Sequence, residues 1–174
     1  FNAEGRAYKV MKFATDITAE ITASHLSAVY RGALDNATAN VMVADNDCNI
    51  IYMNRAASTL MAAGESDFRK DLPAFNAAKL VGGNIDAFHR NPAHQRRMLA
   101  GLNGTFTSKL KIGGRTMRIT ANPMSNPAGT RIGTVVEWGD LTQELATETE
   151  VQDMVTAVLA GDLGKRIAMA GKSG

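Results

Sequence analysis

The sequence predicts an α+β domain in which five antiparallel strands carry short helices on one face, with a further helix at each end. Three observations lead to this prediction. Two short apolar strands come first, a stretch broken by glycine and proline follows, and three strands with alternating apolar and polar residues close the domain. Short helices placed between strands that tight turns connect are typical of an antiparallel sheet with its helices gathered on one side.

Length, charge and cysteine content narrow the class of protein. The chain has 174 residues and a net charge of +2, from 19 basic and 17 acidic residues. One core of ordinary size is therefore expected, and nucleic acid is not an expected partner. The only cysteine, Cys48, excludes an internal disulfide and is interpreted as a packed thiol. No apolar run reaches the ~18 residues of a membrane helix, and no signal peptide is recognisable, which favours a cytoplasmic piece of a larger protein.

The first part of the chain predicts an entry helix followed by a hairpin. Apolar residues recur at helical spacing from Asp16 to Asn36, and Asp16 or Thr18 can cap this helix. Residues 41–44 and 49–53 are strand-like, and the Asp and Asn residues between them are typical of a turn. Two short strands are therefore expected to open the domain.

The middle of the chain predicts short and interrupted helices. Residues 55–63 are rich in alanine and are expected to form a helix that ends at Gly64. Broken helical turns are expected around Pro73. Another helix is expected to begin at Pro92, behind the capping residue Asn91.

Three strands close the domain, and their two-residue alternation predicts which side chains face inward. A hairpin turn is expected at Gly113 and Gly114, between the first two of these strands. The side chains expected to face inward are Phe106, Ser108, Leu110, Met117, Ile119, Ala121, Ile132, Thr134, Val136 and Trp138. Trp138 is therefore expected to point the same way as Ile132 and Val136.

A short sequence motif occurs twice in the chain. Asp140-Leu141-Thr142 and Asp16-Ile17-Thr18 each follow an apolar segment that bears an aromatic residue, and they lie about one small domain apart. This repetition predicts two consecutive domains of one type. Residues 1–15 would be the last strand of the first domain.

The segments "VMVADNDCNIIYMNRAA", "GGNIDAFHRNPAHQRRML" and "VVEWGDLTQEL" resemble PAS sensory domains, specifically those of bacterial methyl-accepting chemotaxis proteins with tandem PAS domains. The resemblance implies a PAS fold over residues 39–139, between a linker helix at 16–38 and a signalling helix at 140–160. It also implies that the Asp-x-Thr element marks the exit from the last strand. Residues 161–174 resemble the start of a HAMP relay module, matched at Gly161, Asp162, Leu163, Arg166 and Ile167. The alternative is a solvated helix that ends at Gly161.

The same resemblance implies a haem b site. His89 stands before the connector helix, where haem-binding PAS domains of soluble oxygen-sensing chemoreceptors have their axial histidine, and Trp138 matches a tryptophan of the last strand that faces the haem. The expected pocket wall consists of Leu110, Met117, Ile119 and Val136. His94 is the competing iron ligand. Judged from spacing alone, each of the two histidines is an ordinary surface or packed residue. The alternative that neither binds a metal or cofactor therefore stays open.

The function that the resemblance implies is sensory and not enzymatic. It is the binding of oxygen or another diatomic gas by a homodimer that signals to a downstream HAMP module and a chemoreceptor signalling domain. The sequence has no phosphate-binding glycine-rich loop and no recognisable catalytic triad. Two alternatives remain: a PAS domain that binds flavin or a small metabolite, and a ligand-free module for dimerisation or relay.

Overall fold

The computed structural model describes residues 18–161 of the chain. Its helices and strands are α1 (Thr18–Asp35), β1 (Asn40–Ala44), β2 (Ile50–Met53), α2 (Arg55–Ala63), α3 (Glu65–Asp71), α4 (Pro92–Ala100), β3 (Phe106–Ile112), β4 (Arg115–Ser125), β5 (Arg131–Asp140) and α5 (Thr142–Leu159). Single 3-10 turns occupy Ala77–Lys79 and Ile85–Phe88. The α+β prediction is confirmed. The predictions for residues 1–15 and for the relay module beyond Gly161 lie outside the described residues.

The chain divides into two compact units, of which the first ends at Leu34 and the second begins at Asp35. The first unit contributes helix α1 to the described residues. The second contains the sheet, the short helices and α5. No helix among residues 18–161 combines the length and the apolar character that crossing a bilayer requires.

The sheet is antiparallel throughout, in the order β2-β1-β5-β4-β3. The last strand, β5, lies between β1 and β4 and is therefore hydrogen-bonded on both sides. Its residue Trp138 lies opposite Asn40 on one neighbour and Ile119 on the other. Since directly opposed residues share a face of the sheet, Ile119 and Trp138 lie side by side. This register brings strands from both halves of the domain to one wall.

A bulge in β5 corrects the prediction for Ile132. Gly133 pairs with Met124 and Arg131 pairs with Ser125, so the register shifts and Ile132 has no direct partner on β4. Ile132 is 47% exposed, whereas Thr134 is 4% exposed. The expected inward alternation therefore begins at Thr134, because an extra residue at a bulge turns the side chains that precede it.

One buried polar side chain holds the start of α2 against β1. Asn54 is completely buried, and its Oδ1 accepts hydrogen bonds from the backbone N–H groups of Ala57, at 2.9 Å, and Val41, at 3.0 Å. Its Nδ2 donates to the carbonyl oxygen of Ala39 at 2.8 Å. The side chain thus caps the helix and fixes the beginning of the strand with the same three bonds. The helix ends at Gly64, as predicted.

The apolar core lies between the sheet and helices α2 and α3. Its buried members are Met42, Ile50, Met61, Phe68, Phe75, Leu80 and Met117. Phe75 packs edge-on against Phe68 and at a tilt against Phe88, with ring centroids 5.2 Å and 5.8 Å apart. Cys48 is buried beside this core, as the packed-thiol interpretation expects, and burial raises the pKa of its thiol.

Candidate ligand-binding site

Two adjoining cavities lie between the inner face of the sheet and the helices. The first has a volume of about 250 Å³ and extends towards α2 and α3. The second, of about 310 Å³, extends towards α4 and the strands β3 to β5. The side chains of His89, Gln95 and Trp138 line both cavities, whereas most of the remaining wall is apolar. A largely apolar cavity with a few convergent polar groups is typical of a small-molecule site.

The strand alternation explains which residues reach the cavity walls. Leu110 and Ile119 line both cavities, and Val136 lines the second. Met117 is also directed inward and is fully buried, but it packs in the core and lines neither cavity. It lies opposite Asp140, near the end of β5 where the sheet closes over the core. The predicted pocket wall therefore needs correction at Met117.

His89 is the half-buried residue that ends the 3-10 turn Ile85–Phe88. Its Nδ1 lies 2.8 Å from the carbonyl oxygen of Ile85, four residues earlier. Because a carbonyl oxygen can only accept, Nδ1 carries the proton in the neutral ring and Nε2 keeps its lone pair. A carbonyl bound to one ring nitrogen is the usual way in which a protein orients a histidine for coordination through the other. In this tautomer the Nε2 lone pair of His89 is free of the Ile85 contact.

Two polar atoms at the cavities lack a partner within the described residues. They are Trp138 Nε1, a donor, and Gln95 Oε1, an acceptor, and both are buried. A buried polar atom without a hydrogen bond costs about 1–3 kcal/mol, so native proteins rarely keep one without a reason. A ligand or an ordered water in the cavities would satisfy them.

His94, the competing ligand, has a different environment. It lies on α4, two residues after the helix begins, and its backbone N–H donates to the capping Asn91 Oδ1 at 3.1 Å. Its side chain is exposed and lines only the second of the two cavities. The geometry thus favours His89 over His94 as a buried ligand. Among residues 18–161, no group of three or more His, Cys, Asp or Glu side chains is arranged to hold a metal ion by itself.

The sequence reasoning missed Gln95 and the aromatic part of the wall. Gln95 shares one face of α4 with Met98 and Leu99, three and four residues later, and all three line the second cavity. That spacing could have indicated it. Phe68, Phe75 and Phe88 come from an α-helix, a loop and a 3-10 turn, so no single periodicity marks them as one wall.

The Asp-x-Thr element at the end of β5 provides a side-chain acceptor for the first N–H of α5, although the N-cap position itself is Leu141, which makes no side-chain cap. Asp140 Oδ1 accepts a hydrogen bond from the Thr142 N–H at 2.9 Å, and the Thr142 hydroxyl accepts one from the Thr116 N–H at 3.0 Å. Burial alone would raise the pKa of Asp140, but the hydrogen bonds from Thr142 and the Arg115 guanidinium outweigh it and hold the pKa below its ordinary value. The carboxylate therefore stays ionised where the sheet ends and α5 begins.

Comparisons with known proteins agree with this fold. The family model described as PAS domain matches residues 28–92. A solved structure of the Aer2 receptor from Vibrio cholerae, described as a dual PAS-haem oxygen sensor, is 38% identical, with a TM-score of 0.56, and the match covers 60% of this chain and 95% of that one. The chain therefore belongs to the PAS domain family.

Two further relatives define the limits of the comparison. The methyl-accepting chemotaxis protein McpB of Pseudomonas aeruginosa strain PAO1 is 48% identical over 157 residues, which is 90% of this chain and 23% of that protein. This chain thus spans about a quarter of that relative's length. The PAS domain of Bordetella pertussis BvgS is 16% identical, with a TM-score of 0.50, over 76% of this chain and 98% of that one, and it shares the fold alone.

Proposed function

We propose that this chain is the sensory PAS module of a chemoreceptor and that its cavities bind haem b for the detection of oxygen or another diatomic gas. The observation that carries the proposal is the pairing of His89 with Trp138 at the same two cavities. His89 offers a lone pair on an oriented imidazole, and Trp138 offers a buried N–H that has no partner among residues 18–161. The haem and oxygen in the description of the Vibrio cholerae relative support this assignment.

The residues present fit such a group. A neutral imidazole is a suitable axial ligand, and an apolar wall favours retention of a flat aromatic macrocycle. Haem b, when bound, supplies an iron atom with a coordination position for a diatomic gas. His89 would hold the group, while Trp138 would donate its N–H to an acceptor atom in the cavity. Ile119 and Leu110 exclude water from the same space.

The proposed signal leaves the domain through the end of β5. Trp138 lies two residues before Asp140, whose carboxylate accepts the first N–H of α5, so a change at the cavity wall is close to the start of the output helix. The full receptor is proposed to pass this change to a HAMP module and a signalling domain, as expected for a chemotaxis protein like the Pseudomonas relative. The role of the chain is thus binding and relay, without catalysis.

An absorption spectrum of the protein expressed with ample haem tests the proposal. We expect a strong Soret band that is lost in His89→Ala and retained in His94→Ala, the matched control on the neighbouring helix. Loss of the band in His94→Ala alone would move the ligand to that residue. No haem uptake by the intact protein would refute the gas-sensor function and leave flavin, a small metabolite or a ligand-free relay.

The role of Trp138 is tested separately from that of the iron ligand. Trp138→Phe keeps an aromatic ring and removes the N–H donor. We expect it to bind haem normally and to weaken oxygen affinity by about 10-fold, the value of one hydrogen bond of ~1.4 kcal/mol. Unchanged oxygen affinity would show that Trp138 only fills the wall.

A further inference from the structure

Arg115, the first residue of β4, joins two carboxylates from distant parts of the chain. Its Nε lies 2.7 Å from Asp67 Oδ2 on α3, and its Nη1 lies 2.8 Å from Asp140 Oδ2 at the end of β5. All three side chains are partly buried, with 22–28% of their surface exposed. A guanidinium can bind two carboxylates through separate nitrogens of one rigid fork, which a lysine ammonium cannot reproduce. Arg115 is therefore a fixed bridge between α3 and β5.

The bridge continues directly into the output helix. While Asp140 Oδ2 pairs with Arg115, its Oδ1 accepts the N–H of Thr142, the first residue of α5. The two contacts use different oxygens, so they do not compete. The first N–H groups of a helix have no hydrogen-bond partner within the helix. The Asp140 carboxylate is the acceptor for the N–H of Thr142. The orientation of the Asp140 carboxylate, which pairs with Arg115, thus affects the stability of the first turn of α5.

At its other end the bridge reaches the cavity wall. Asp67 is next to Phe68, which is 2% exposed and lines the first cavity, and Leu72 follows on the same wall. The helix is also bound to the β3–β4 hairpin, because Asp71 Oδ2 accepts the Gly113 N–H at 2.6 Å. The backbones approach so closely there that a Cβ at Gly113 would overlap the carbonyl oxygen of Asp67. Helix α3 and the hairpin are therefore in direct backbone contact.

We propose that Arg115 is a positioning residue that couples the α3 wall of the cavity to the first turn of α5. A displacement at Phe68 would shift Asp67 and, through Arg115, reorient Asp140 and its bond to Thr142. This route reaches the output helix without passing through Trp138. The coupling itself does not rest on the proposed haem function, since it requires only that the cavity wall be displaced.

Amide hydrogen exchange at Thr142, measured in the protein without added haem, tests the coupling. Within residues 18–161, the Asp67 carboxylate pairs with Lys70 and Arg115 and with no group of α5. We nevertheless expect Asp67→Asn to accelerate exchange at Thr142 by about 3- to 10-fold, because Arg115 loses its anchor. In an Arg115→Gln background, the same substitution should have no further effect.

Two controls on α3 separate the bridge from a general loosening of the helix. Glu65→Gln removes a carboxylate that pairs with Arg69, and Lys70→Gln removes the other ion pair of Asp67. Neither should change exchange at Thr142. Unchanged exchange in Asp67→Asn, or equal acceleration with and without Arg115, would overturn the proposal.

A substitution at Phe68 tests the part of the coupling that lies at the cavity wall. Phe68→Leu reshapes the first cavity with a small change in volume, so the fold should persist. We expect it to alter exchange at Thr142 at least 2-fold in the parent protein and to have no effect in the Arg115→Gln background. An effect that survives the loss of Arg115 would place the route elsewhere, for example along β5. Because no haem is added, failure of haem uptake would refute the proposed function alone and leave this result intact.

Discussion

Replacement of Asn54 by alanine should be one of the most damaging single polar substitutions in this domain. The side chain has no exposed surface, and its hydrogen bonds include those of 2.8, 2.9 and 3.0 Å to Ala39, Ala57 and Val41. Alanine would remove the partner of two N–H groups, of which that of Ala57 is buried and that of Val41 partly buried, and of one carbonyl. At about 1 kcal/mol for each lost bond, and more where the remaining group cannot reach water, the expected loss of unfolding free energy is about 3–4 kcal/mol.

The chain offers a matched control for this prediction. Asn91 caps α4, which has nine residues like α2, but Asn91 is exposed and its side chain caps through one hydrogen bond, to the His94 N–H. Asn91→Ala should therefore cost about 1 kcal/mol, the typical value of a lost cap. The difference between the two variants measures the effect of burial and of the additional bonds to β1.

Urea unfolding followed by circular dichroism is the appropriate assay. With a slope of about 2 kcal/mol per molar urea, typical of small proteins, Asn54→Ala should lower the midpoint by about 1.5–2 M and Asn91→Ala by about 0.5 M. Equal midpoints for the two variants, with unchanged slopes, would refute the reasoning that one buried amide joins the helix to the strand.

Two further predictions concern the hairpin and the flanking helices. Gly113→Ala should destabilise the protein by at least 2 kcal/mol more than Gly114→Ala, since both glycines have positive φ but only a Cβ at Gly113 would overlap α3; equal thermal melting of the two would contradict this. The protein should also form dimers through its flanking helices, because α5 exposes Val151 and Val155 at helical spacing and α1 exposes Ile21. Light scattering should give the mass of two chains at high micromolar concentration, and a monomer mass there would count against it.

The strands could be predicted because every second side chain of a half-buried strand faces the core and is apolar or small. Leu110, Ile119 and Trp138 were placed inward by alternation alone, and the structure brings all three to both cavities. The five-stranded PAS fold is confirmed. The identity of the ligand depends on the precise arrangement of a few polar atoms, and no periodicity reports it, so the haem assignment stays a prediction.

The failures have physical causes at particular residues. Ile132 was expected inward, but an extra residue at the bulge reverses the alternation at that end of β5. Met117 obeys the alternation and is nevertheless absent from the cavity wall, because the core closes over it. Gln95 was missed because a glutamine on a short helix is usually a surface residue, although its spacing with Met98 and Leu99 puts it on the cavity side of α4 and its Oε1 is buried.

The position of β5 beside β1 has a consequence for the evolution of such proteins. The side chain of Asn40, at the start of the first strand, donates a hydrogen bond to the carbonyl oxygen of Trp138, near the end of the last strand, at 2.8 Å. The chain thus enters and leaves the sheet at neighbouring points. A domain with adjacent ends can be duplicated, deleted or exchanged by recombination with little disturbance to the segments that flank it. Gene duplication could therefore produce a tandem array of this unit, because each added copy can use the same kind of linker between neighbouring domains.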